Sequence, residues 1–172
     1  MPNKNKYLKL LYSFRYTLVL AGVFLLPQAI SSSSISTDNI IKFTNEERSK
    51  EQLTQLEQNP LLSIAARDKA LAIINSQTFQ HNIKGKKFSS WIMDAGYRYK
   101  VVGENLAIDF DNERKIVDAW LESKDHKKNI LNPQYSEIGV ATVSGNYRGK
   151  ETTVVVQLFG KPDTGSYLIS KK

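Results

Sequence analysis

The 172-residue chain contains no cysteine and only two histidines, His81 and His126. Without cysteine it has neither disulfide cross-links nor a thiol nucleophile, so an ordinary hydrophobic core must stabilise the fold. It also lacks the His-Glu-x-x-His motif of many zinc proteases and the serine nucleophile elbow of many hydrolases. A chain of this length without internal repeats predicts a single domain.

Residues 1–31 have the pattern of a secretory signal. Basic residues up to Arg15 precede the apolar stretch Leu18–Leu26, and Ala29-Ile30-Ser31 resembles a cleavage site. The apolar stretch is too short to span a bilayer comfortably. An uncleaved membrane anchor is the alternative, because residues 8–12 lengthen the apolar region, although Arg15 interrupts it. We therefore expect a secreted, extracellular or cell-envelope protein, and the missing disulfides favour a bacterial one.

Most of the positive charge lies in this leader. The whole chain has 24 basic and 17 acidic residues, a formal net charge of +7, and residues 1–31 hold four of the basic ones and no acid. The remaining 20 basic and 17 acidic residues give a net charge of +3. The lysine-rich runs 84–87 and 124–128 are therefore interpreted as solvated surface. No nucleic-acid partner is expected, because no basic stripe is combined with base-stacking aromatic residues.

Composition divides the rest of the chain into three parts. The polar, serine-rich residues 32–39 predict a flexible linker, residues 40–162 a folded domain, and residues 163–172 a C-terminal tail. Thr44-Asn45-Glu46-Glu47 matches a capping box, which predicts a first helix that runs to about Glu57.

Apolar residues at helical spacing predict three further helices. The second begins at Pro60, the third covers Phe88–Ala95 and ends at Gly96, and Asp111 or Asn112 caps the fourth. The residues expected to face the core from the second and fourth helices are Leu62, Ala65, Ala66, Ala70, Ile73, Ile74, Ile116, Val117, Trp120 and Leu121. Both tryptophans, Trp91 and Trp120, are expected in the core.

The pattern changes from helical to alternating after Pro133. This predicts strands at 138–143 and 152–159 joined by a hairpin loop at 144–149, with a further strand at 103–108. Helices combined with a small antiparallel sheet indicate the α+β class with a layered architecture.

His81, Glu104, His126 and Glu137 are the residues with the strongest potential for site chemistry. Neutral imidazoles are good ligands for zinc, and carboxylates orient them or complete the coordination. A catalytic zinc takes three protein ligands, so the two histidines need Glu104 or Glu137 to join them. Taken alone, two histidines are more often structural or surface groups than ligands.

Three segments carry a family resemblance. They are Gly103-Glu104-Asn105-Leu106-Ala107, the run Trp120-Leu121-x-Ser123-x-x-His126-x-x-Asn129-Ile130-Leu131, and Glu137-Ile138-Gly139-Val140-Ala141. Together with Phe79-x-His81, they resemble bacterial members of the CAP superfamily (cysteine-rich secretory proteins, antigen 5 and pathogenesis-related proteins), also called SCP-like extracellular proteins. The resemblance covers roughly residues 40–160.

The resemblance implies an α-β-α sandwich with a cleft lined by two histidines and two acids, which holds zinc or another divalent metal in several relatives. By position, His81 and His126 match the histidines and Glu104 matches one acid. Eukaryotic relatives have the second acid where Ser123 stands here. Glu137 is the expected replacement.

Two functions follow from this resemblance. The first is a secreted, monomeric binding module whose cleft takes a metal, a small molecule, a lipid or a protein partner; it is the preferred hypothesis, and we expect a non-enzyme. The second is a zinc-dependent hydrolase, protease-like or esterase-like, in which Glu104 activates a water molecule. A purely structural role for Glu104 and the histidines is a third possibility.

Overall fold

The computed structural model describes residues 35–165. The predicted signal (1–31) and residues 166–172 of the predicted tail lie outside this range. The elements are α1 (Thr37–Lys50), β1 (Glu57–Gln58), α2 (Pro60–Ser76), α3 (Phe88–Asp94), β2 (Tyr99–Ile108), α4 (Glu113–Glu122), α5 (Lys124–Ile130), β3 (Glu137–Tyr147) and β4 (Lys150–Pro162). No helix in this part of the chain is long and apolar enough to cross a membrane.

A four-stranded sheet in the order β1-β3-β4-β2 separates two helical layers. The α-β-α sandwich is therefore confirmed. The sheet is mixed rather than purely antiparallel, because the two-residue β1 pairs in parallel with β3. One face packs on α2 and α3 around Leu62, Ile73 and Trp91. The other packs on α1, α4 and α5 around Ile40 and Trp120.

The first helix differs most from the prediction. It begins at Thr37, so residues 37–39 of the predicted linker form its first turn, and Ser36 caps it by accepting a hydrogen bond from the Asn39 amide. Thr44 is a buried mid-helix residue, not a cap, and its hydroxyl donates to the Ile40 carbonyl at 2.8 Å. The predicted cap was wrong because burial of Ile40 extends the helix upstream.

The helix also ends earlier than predicted, at Lys50 rather than about Glu57. Gln52 has a φ of 57°, which interrupts the helical path. Leu56 is buried within an extended segment, and its amide donates to Asn45 Oδ1 at 2.8 Å.

The other predicted elements follow the sequence closely, whereas the two-residue β1 and the short α5 were not predicted. Pro60 is the first residue of α2 with Asn59 as its cap, and Asn112 caps α4. Both tryptophans are buried, at 8% exposure for Trp91 and 2% for Trp120. The hairpin differs, because strand pairing continues through the predicted loop 144–149 to the pair Tyr147 and Lys150.

Candidate functional site

The strand β2 lies at the edge of the sheet and carries the Gly103–Ala107 motif. Successive strand residues point to opposite faces, so Glu104 and Asn105 project to different helical layers. Glu104 pairs with Leu158, which belongs to the core beside α2 and α3. Asn105 instead contacts α5 on the other face, through the carbonyl oxygen of His126.

His81 meets Glu104 on the first of these faces. Its Nδ1 lies 2.7 Å from Glu104 Oε1. The His81 side chain is 56% exposed, whereas that of Glu104 is 1% exposed. A buried carboxylate thus holds one nitrogen of a solvent-facing ring.

Lys69 lies behind the carboxylate. Its Nζ is 4.0 Å from Glu104 Oε2, and both side chains are 1% exposed. Within residues 35–165 this Oε2 atom has no hydrogen-bond partner. Burial raises the pKa of Glu104, while the hydrogen bond from His81 and the charge of Lys69 act in the opposite direction. Burial lowers the pKa of Lys69.

His126 lies on α5, which a chain of side-chain amides ties to β2. Asn129 Nδ2 donates to the Glu104 carbonyl at 3.0 Å and to Asn105 Oδ1 at 2.9 Å. Asn105 Nδ2 donates to Gln157 Oε1 at 3.0 Å and to the His126 carbonyl at 3.3 Å. The motif residue Asn105 therefore fixes the helix that carries His126.

The two imidazoles have opposite electrostatic environments. The hydrogen bond to Glu104 raises the pKa of His81 above its ordinary value. Partial burial, followed by the charge of His81, lowers the pKa of His126. We call His81, Glu104 and His126 the edge site.

Gly103 brings α5 and its following loop close to β2. A Cβ at this position would overlap the Tyr135 hydroxyl and lie 3.0 Å from Asn129 Oδ1. Glycine is therefore required by space rather than by backbone conformation. This explains the residue that precedes Glu104 in the motif.

Glu137 does not join the edge site. Glu104 and Gly139 both pair with Leu158 of β4, from its two sides. Glu137 therefore lies two strands from Glu104 and two residues further along, which puts their Cα atoms roughly 12 Å apart. Its Oε2 accepts hydrogen bonds from Tyr97 at 2.5 Å and Asn59 at 3.2 Å. The prediction that Glu137 supplies the second acid of the cleft thus has no support in the strand register.

The described residues do not assemble the donor set of a catalytic zinc site. No group of three or more histidine, aspartate or glutamate residues within 35–165 is arranged to hold a metal. The available donors are the two imidazoles, whereas catalytic zinc has three protein ligands. Three surface depressions of about 330, 360 and 390 Å³ lie elsewhere, and none is lined by edge-site residues.

The supporting roles of Lys69, Asn105 and Asn129 were not predicted from the sequence. Lys69 carries a recognisable signal, because it interrupts the apolar stripe of α2 between Ala66 and Ala70. A lysine at such a position must be buried and compensated. Asn105 and Asn129 stand in the two family motifs, but the hydrogen bond between them depends on the approach of α5 to β2 and could not be read from the sequence.

The comparisons with known proteins agree with this geometry. The sheet between two helical layers is the fold of a CAP-type domain. The model of the cysteine-rich secretory protein family (CAP) matches residues 41–159, and the chain belongs to this family. Its lack of cysteine shows that the fold here does not depend on disulfides.

Three relatives are similar to this chain. The uncharacterized Bacillus subtilis protein YkwD is 36% identical over 117 residues, which cover 67% of this chain and 45% of that protein. An outer surface protein of Borrelia burgdorferi has a TM-score of 0.65 at 25% identity, covering 73% of this chain and 92% of its own. An extracellular SCP-domain protein of Bacillus anthracis has a TM-score of 0.63 at 22% identity, covering 72% and 39%. The chain thus spans less than half of the two Bacillus proteins.

Proposed function

We propose that this chain is an exported bacterial binding module whose ligand site is the edge site, and that His81 and His126 hold a divalent metal such as zinc. The observation that carries the proposal is the buried Glu104 carboxylate on His81 Nδ1, at 2.7 Å. Histidine ligands commonly donate their other ring nitrogen to a carboxylate, which fixes the tautomer and the ring orientation. Here that arrangement directs Nε2 toward the exposed side.

Export is supported by two observations. Residues 1–31 have the composition of a secretory signal. Two structural neighbours are described as an extracellular protein and an outer surface protein. A small molecule, lipid or protein partner would approach the exposed edge of β2.

Binding is favoured over catalysis by the position of Glu104. Its Oε1 is engaged by His81 and its Oε2 faces Lys69 at 4.0 Å. A general base must reach the proton that it abstracts, and this carboxylate is directed into the protein. Two imidazoles also lack the third ligand of a hydroxide-generating zinc site.

Isothermal titration with zinc chloride at pH 7.5 tests the binding proposal. We expect one zinc per chain, with affinity reduced more than about tenfold in His81→Ala and in His126→Ala. Asn82→Ala, at an exposed residue of the same loop, is the matched control and should bind zinc normally. Equal affinity in all four proteins would refute the site.

Turnover assays test the hydrolase alternative. With casein and ester substrates we expect no activity that is both lost with a chelator and lost in Glu104→Gln. Activity with both properties would replace the binding module by a metal-dependent hydrolase.

A further inference from the structure

Lys69 is a fully buried lysine that the proposed function does not use. It lies on the core-facing stripe of α2, with a relative exposure of 0%. Burying an ammonium group is unfavourable unless it is paired and hydrogen-bonded. An apolar residue at this position would avoid that cost, so the contacts of the ammonium group indicate what it does.

Its two hydrogen bonds go to the main chain of the loop that carries His81. The Nζ atom donates to the carbonyl oxygen of Gln80 at 3.0 Å and to that of His81 at 2.5 Å. The same atom lies 4.0 Å from Glu104 Oε2 and 4.5 Å from the centre of the Trp91 ring. The loop between α2 and α3 is thereby tied to the middle of α2.

We infer that Lys69 is the positioning residue of His81: it fixes the histidine main chain directly and supports the carboxylate that orients its ring. This inference rests on the proposed function of the edge site and extends it to the buried layer beneath. His81 is held at two points, its carbonyl oxygen and its Nδ1. Lys69 donates to the carbonyl oxygen and lies beside the Glu104 carboxylate that holds Nδ1.

The His81 ring faces solvent, so its orientation depends on the few contacts that it makes. The His81 side chain is 56% exposed and belongs to a loop, so few neighbours restrict it. Loop residues gain a defined orientation only from specific contacts. The two main-chain hydrogen bonds from Lys69 and the bond to Glu104 supply those contacts.

The variant Lys69→Met tests this role, because methionine keeps an unbranched stem but removes the ammonium group. The first readout is the ¹⁵N spectrum of the His81 ring at pH 8.5. The wild type should show the single tautomer with the proton on Nδ1, and Lys69→Met a mixture of tautomers. The second readout is zinc affinity, which should fall about 10- to 100-fold, the usual effect of losing the support of a metal ligand. Arg67→Met removes an exposed charge from the same helix and should change neither readout.

Chemical rescue separates placement from general damage to the core. Because the chain has no cysteine, Lys69→Cys introduces a single thiol. Alkylation with 2-bromoethylamine in denaturant, followed by refolding, recreates an ammonium side chain of nearly the length of lysine. This product should recover the single tautomer and the wild-type zinc affinity, whereas the product of iodoacetamide should recover neither. Wild type taken through the same refolding is the reference.

The two proposals fail in different ways. A single Nδ1-protonated tautomer in Lys69→Met, or equal behaviour of the two alkylated proteins, would overturn the role of Lys69 even if zinc binds. Absence of zinc binding by the wild type would overturn the metal proposal, and the tautomer readout would still decide the role of Lys69.

Discussion

Glu104 and Asn105 are adjacent residues of β2 that support different histidines from opposite faces of the sheet. Glu104 Oε1 accepts from His81 Nδ1 at 2.7 Å, and Asn105 Nδ2 donates to the His126 carbonyl at 3.3 Å. An interior strand has a neighbouring strand on each side. Segments packed on opposite faces of the sheet therefore cannot contact each other past an interior strand. At the edge of the sheet they can, and this position is what the proposed site of two distant segments requires.

Gly103 sets the distance between β2 and the segment after α5. We expect Gly103→Ala to lower the free energy of unfolding by about 1–3 kcal/mol, because the new methyl group overlaps the Tyr135 hydroxyl. Urea unfolding followed by fluorescence measures this loss. The double variant Gly103→Ala/Tyr135→Phe should be less destabilised than the sum of the single changes, because the overlapping oxygen is absent. Strict additivity would show that this contact does not explain the glycine.

Asn129 joins the two motif segments through its side-chain amide. In Asn129→Asp the hydrogen bonds to the Glu104 carbonyl and to Asn105 Oδ1 are lost and a carboxylate faces both acceptors. We expect the free energy of unfolding to fall by about 1–3 kcal/mol at pH 7.5 and to recover partly as the new carboxyl group is protonated at low pH. Asn75→Asp, on the exposed side of α2, is the control and should change stability little. A loss at Asn129 that is independent of pH would contradict this explanation.

The two histidines should affect stability with opposite pH dependence. The folded-state pKa of His81 is raised by Glu104, so its stabilising contribution is full below the unfolded pKa of ~6.5 and disappears as the pH rises through the folded value. His81→Gln should therefore be more destabilising at pH 6 than at pH 8.5. Urea unfolding in chelator at both pH values is the measurement. A larger destabilisation by His81→Gln at pH 8.5 than at pH 6 would contradict a stabilising interaction between protonated His81 and Glu104.

The contribution of His126 to stability has the opposite pH dependence. Its folded-state pKa is lowered by burial, so its neutral form favours the fold and stability is lost as the pH falls from ~6.5 toward the folded value. His126→Gln should therefore gain stability relative to the wild type as the pH falls from 7.5 to 5.5. Titration of the two imidazoles by NMR, with a higher midpoint for His81 than for His126, checks both assignments.

The sequence predicted most elements because they depend on local patterns. Pro60 after Asn59, and Asn112 before an apolar stripe, are helix starts that require no tertiary information. The family motifs located His81, Glu104 and His126, and the structure places Glu104 in contact with His81. Coordination of a metal by the two histidines stays a prediction.

The differences from prediction arise from tertiary packing and register. The capping-box pattern at Thr44 was overridden by the burial of Ile40 one turn earlier. The hairpin loop was predicted too long because Ser144 and Asn146 are polar strand residues, and only Arg148 and Gly149 form the turn, with φ of 52° and 85°. The order of the motifs predicted Glu137 as the second acid of the cleft, but the register of β3 and β4 separates it from Glu104.

The most direct measurement of the central claim is a zinc titration followed by the ring ¹⁵N signals of both histidines at pH 7.5. Each signal belongs to one of the only two imidazoles in the chain, so the assignment needs only the two single variants. If the rings share one ion, the His81 and His126 signals will change together and be complete at one zinc per chain. Independent curves for the two rings, or a change confined to one of them, would contradict a common site at the edge of β2.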